Sequence, residues 1–66
     1  NTMDKINDID TIIDQFIADC RKLHENGESF KKVAELFFEE KYQILMIIPD
    51  GTPAARKMDE AFKLWD

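Results

Sequence analysis

The chain has one cysteine, one histidine, two glycines and two prolines in 66 residues. Each scarcity excludes something. A lone Cys20 rules out an internal disulfide, and one Cys with one His cannot make a zinc-type ligand set. The two supports that very small domains most often add to a thin core are therefore missing, which leaves helix packing and self-association. Positive charge is also short: nine Lys and Arg against fourteen Asp and Glu give a net charge of −5. That balance disfavours nucleic-acid binding through a basic face and attachment to an anionic membrane surface. No stretch approaches the roughly 20 apolar residues of a membrane span. No basic segment followed by an apolar core and small residues forms a secretory signal. An unpaired cysteine without an export signal points to the reducing cytoplasm. Asn1-Thr2 ahead of Met3 reads as an addition, so the natural chain is expected to start at Met3.

Catalytic patterns are scarce as well. There is no Gly-rich phosphate loop, no serine nucleophile elbow and no Glu-x-x-His pair. Gly27 and Gly51 are accounted for by a helix end and a turn. The expectation is a protein that is not an enzyme and carries neither metal nor cofactor.

What is present is helical periodicity. A chain this short buries only about 60% of its unfolded surface, so residues 1–66 form one domain. Met3, Ile6, Ile9, Ile13, Phe16, Cys20 and Leu23 recur at three- and four-residue steps, predicting an amphipathic helix over about 3–26. Its acids lie early and its bases late, as the helix dipole prefers, and Asn26-Gly27 supplies the stop. A second helix is predicted over 29–47, with Ser29 as N-cap, a Lys31–Glu35 pair and Phe30, Val33 and Phe37 on one face. Tyr42 to Ile48 is apolar at six of seven positions. As a strand it would have no pairing run elsewhere, leaving its backbone groups unpaired, so it is read as a continued helix stopped by Pro49. Thr52-Pro53 then opens a third helix over 53–65, with Ala55, Met58, Ala61, Phe62 and Trp65 on one face. Two short connections imply an all-α, three-helix antiparallel bundle, up-down-up.

The second helix is the informative one. On a continuous helix Tyr42 and Met46 point away from the face set by Phe30 and Val33, so its last two turns are apolar nearly all round. Such a helix wants burial on every side, and a second subunit in a two-fold homodimer would supply it. Phe38, Tyr42, Leu45 and Met46 are the expected association surface. Trp65 is the expected second contact, since tryptophan is enriched among binding anchors; the plainer alternative has it capping the core beside Phe62.

Other candidates read as structural. Asp4, Asp8, Asp10 and Asp14 offer at most two carboxylates per helix face, which suits a solvated face better than a cation site. Cys20 lies mid-face near the helix's C-terminal half, where a thiolate gains nothing from the dipole, so it reads as a core cysteine despite His24 four residues on. The functional expectation is a small acidic, non-enzymatic protein-interaction module of regulatory, adaptor or inhibitor type, acting as a homo-oligomer on an unidentified protein partner. The alternatives are an acidic mimic of nucleic acid that blocks a DNA-binding protein, or a nucleic-acid regulator. The mimic would use the Asp-rich face of the first helix, and the regulator Arg21, Lys22, Lys31 and Lys32 around the first turn.

Overall fold

A computed structural model describes the backbone of residues 2–66 and the side chains of residues 9–66. The described residues are all-α, with no strand. Three α-helices, α1 (Thr2–Glu25), α2 (Lys31–Leu36) and α3 (Pro53–Phe62), are joined by a 3-10 helix over Glu40–Ile47, and a 3-10 turn over Lys63–Trp65 follows α3. The predicted positions of Met3, Ile6, Asp4 and Asp8 on helix faces lie outside the described side chains.

α1 is the spine. Its 24 residues span about 36 Å at 1.5 Å per residue, close to the molecule's longest dimension of 39 Å. Its buried positions, Ile13, Phe16 and Cys20, follow the three- and four-residue spacing of its apolar stripe. Gly27 ends it at φ +76°, where Gly27 N–H donates to the His24 carbonyl and Glu28 N–H to the Leu23 carbonyl. Positive φ is nearly free of strain for glycine and strained for other residues, which is why the stop falls there.

The single helix expected over 29–47 is broken. Ser29 does not cap with its side chain; instead its carbonyl accepts Lys32 N–H at 3.0 Å, with Phe30 already in helical geometry. Lys32, rather than Lys31, pairs with Glu35, at 3.5 Å. The helix tightens at its end, where the amides of Phe37, Phe38 and Glu39 reach back three residues to Ala34, Glu35 and Leu36. Glu39 then turns extended (φ −72°, ψ 135°) and the chain restarts as a 3-10 helix. Burial explains the break. A continuous α-helix would aim Tyr42 away from the core, whereas one extended residue rotates it inward. In a 3-10 helix residues three apart eclipse, so Tyr42, Leu45 and Ile48 form one ridge, the first two buried and the third packed against the core.

Pro49 to Thr52 makes the turn into α3. Gly51 takes φ +83°. Thr52 caps α3, its Oγ1 accepting Ala55 N–H at 3.3 Å and its hydroxyl donating to the Pro49 carbonyl at 2.8 Å. Pro53 fills the first helical position, where a missing N–H costs nothing. The core is closed by Ile13, Phe16, Cys20, Val33, Tyr42, Leu45, Met58 and Ala61. Phe16 is its centre, packing on Phe37, Tyr42 and Phe62 at ring-centroid distances of 4.9, 5.2 and 6.0 Å.

Candidate interaction surface

The inward ridge of the 3-10 helix decides what its outer side presents. With Tyr42, Leu45 and Ile48 turned to the core, Ile44 and Ile47 fall three apart on the outside, and Met46 opens toward the start of α3. Phe38 is 77% exposed, Ile47 72% and Met46 66%. Large apolar side chains that open to water are ordinary when scattered singly; here they fall within ten residues of sequence on one short segment.

The expected association residues therefore divide. Phe38 and Met46 are at the surface. Tyr42 and Leu45 are not: Tyr42 is 0% exposed and Leu45 is buried with it, so neither can touch a partner in this conformation. Reading Tyr42 as an outward residue assumed an unbroken helix, and the extended Glu39 removes that assumption. Ile47, which the sequence reading passed over, takes its place. The signal was available in the three-residue spacing of Tyr42, Leu45 and Ile48, the period of a 3-10 helix rather than an α-helix.

Trp65 is half-buried and held. Its indole Nε1–H donates to the Glu28 carbonyl at 2.9 Å, and its ring meets His24 and Phe30 edge-on at 5.3 and 5.7 Å. It fastens the end of the chain to the α1–α2 connection and shows only part of its ring.

Beneath the surface Tyr42 donates a hydrogen bond to the Asp19 carboxylate. Burial, then that bond, then the nearby negative charge push the Tyr42 hydroxyl well above its ordinary range. The neighbouring Cys20 thiol is pushed up to about 11, chiefly by burial and further by the Asp19 charge. It is thus a protonated thiol at neutral pH, a poor nucleophile. His24 faces Trp65, and the structure does not pair it with Cys20. Among the described residues, no three His, Cys, Asp or Glu side chains converge as metal ligands.

The cations proposed for nucleic acid are exposed but do not form a clean positive face. Lys32 is engaged by Glu35. Arg21 lies in a groove between α1 and α3 that also holds Asp14, Glu60 and Lys57, with Lys57 on Asp14 at 3.2 Å. No described helix is long and apolar enough to cross a membrane. No protein-family model, curated protein or solved structure matches the chain.

Proposed function

We propose that the protein is a non-enzymatic interaction module that acts as a homo-oligomer, associating through the outer side of the Glu40–Ile47 helix and docking a protein partner. The observation that carries this reading is the exposure of Phe38, Met46 and Ile47 together on a segment whose inner ridge is already buried. Removing these side chains from water is worth about 25 cal/mol per Å2 of apolar area, and the monomer leaves them wet. A second copy is the simplest cover, because a two-fold contact needs only one self-complementary patch.

The fold around that patch is an up-down-up arrangement, completed by the second subunit. Supporting it, contacts of α1 with α3 and the turn that follows it advance in the same sense: Asp14 meets Lys57, Phe16 meets Phe62 and His24 meets Trp65. The segment between them runs the other way, with Phe30 against Trp65 and Phe62, and Ile48 near Ala55.

Sedimentation equilibrium tests the association. Wild type is expected to show the mass of two chains at micromolar concentration, and Met46→Lys/Ile47→Lys the mass of one. Both sites are exposed, so the variant should keep its helical circular dichroism. A wild-type mass of one chain across the concentration range would sink the homodimer.

A further inference from the structure

A second apolar feature lies along α3. One cleft, of about 310 Å3, runs between the 3-10 helix and the start of α3, floored by Phe37, Leu45, Met46, Ala55 and Met58. Another, of about 470 Å3, continues toward the chain end between Phe30 and Trp65. Asp59 and Phe62 line both, so the two share a wall on α3. The charges along this trough are nearly all of one sign. Asp50 stands at one end, Asp59 in the middle and Asp66 at the other, and the sole cation among the lining residues is Lys63. Lys63 is itself beside Glu60, 3.7 Å away. The groove between α1 and α3 differs, since its Arg21 and Lys57 are balanced by Asp14 and Glu60.

We propose that the trough along α3 binds a cationic amphipathic helix of another protein, its apolar side chains on the floor and its lysines or arginines toward Asp50, Asp59 and Asp66. Charge complementarity selects the occupant. A second copy seated in this trough would set the Asp50, Asp59 and Asp66 rim of one chain against that of the other, a repulsive like-charge juxtaposition. The backbone of the occupant follows from the same inventory. An extended strand docks on a sheet edge, and no strand exists among the described residues. A polyproline segment leaves its carbonyls unpaired, and the Trp65 N–H that would meet one is already given to Glu28. A helix satisfies its own backbone and needs only a floor and flanking charge. Met46 and Met58 give that floor side chains that adapt to differently shaped anchors.

The inference rests on the reading of the chain as an interaction module. Met46 belongs to both the trough and the self-association surface, so a bound peptide would compete with a second copy, whose association sedimentation tests separately. The probe is a synthetic amphipathic Leu/Lys peptide of about 18 residues, five helical turns. Its controls are an Ala/Lys peptide of equal charge and a Leu/Glu peptide, each titrated into the full chain by calorimetry with parallel amide NMR. The Leu/Lys peptide is expected to bind at least about tenfold tighter than the Ala/Lys peptide, and the Leu/Glu peptide not at all. Amide shifts should centre on Met46, Ala55, Asp59 and Phe62. Asp59→Lys should weaken binding about tenfold, while Asp10→Lys, an equal charge change at an exposed α1 residue that lines neither cleft, should alter it less than about twofold. Equal binding of the Ala/Lys peptide, equal loss in the two variants, or shifts running along α1 would each overturn the proposal, since each reports attraction to net charge alone.

Discussion

Tyr42 shows most directly how one side chain organises this molecule. It is fully buried, it sits edge-on to Phe16, and its hydroxyl is given to Asp19. Removing the hydroxyl leaves the ring in place but strands the carboxylate it served. Tyr42→Phe should therefore cost about 1–2 kcal/mol with the helical spectrum unchanged, read as a lower urea midpoint at constant slope. The pH dependence has a definite sign. Cys20 and Tyr42 both hold their protons more tightly folded than unfolded, so their contributions are complete at neutral pH and are lost as pH rises. The Cys20 contribution begins to fall near pH 9, where the unfolded thiol ionises, and is gone above about 11. Tyr42 adds a further loss from about pH 10, the ordinary tyrosine value. The stability gap between wild type and Tyr42→Phe should consequently narrow above pH 10 in urea titrations. Only part of this could be read in advance. Cys20 in the middle of an apolar stripe was legible as a core residue, because every position around it on α1 obeys one period. The partnership of Tyr42 with Asp19 was not, since it joins residues 23 apart.

At the scale of the element, α1 and α3 were readable because local chemistry and burial agree. The apolar stripe, the dipole-matched charges, Gly27 and the Thr52-Pro53 start all indicate the same boundaries. The segment between them was misread because burial overrode continuity. Glu39 spends one extended residue to turn Tyr42 inward, and the chain then runs eight residues as a 3-10 helix, far longer than the usual three or four. Poorer hydrogen-bond geometry over such a run implies easy local opening. Amides of Gln43–Ile47 should exchange with solvent well ahead of those of Ile13–Cys20, measured residue by residue under native conditions. Protection equal to that of α1 would contradict this account. The α3 cap is a sharper case. Thr52→Ala removes both Oγ1 bonds, to Ala55 N–H and to the Pro49 carbonyl, and should destabilise by about 1 kcal/mol.

For the whole molecule, the question is how 66 residues support a stable fold with eight of the described residues in the main buried cluster and a single cysteine. Domains of this size are marginal alone, and association is one of the few remaining supports. If association through Phe38, Met46 and Ile47 contributes to stability, melting must depend on concentration by mass action. The size of the effect follows from general values. Unfolding entropy near 2.1 cal/mol/K per residue gives about 280 cal/mol/K for two chains of this length, so each tenfold rise in protein, worth about 1.4 kcal/mol, should raise the midpoint by about 5 °C. Thermal scans from micromolar to near-millimolar protein should show that slope in wild type. Met46→Lys/Ile47→Lys should abolish it. At the highest concentration the variant should melt well below wild type; at the lowest the two should converge, since exposed substitutions change a monomer by only about 0.5 kcal/mol. A flat wild-type line would mean that the small core suffices and that the outer ridge of the 3-10 helix is kept for a different protein.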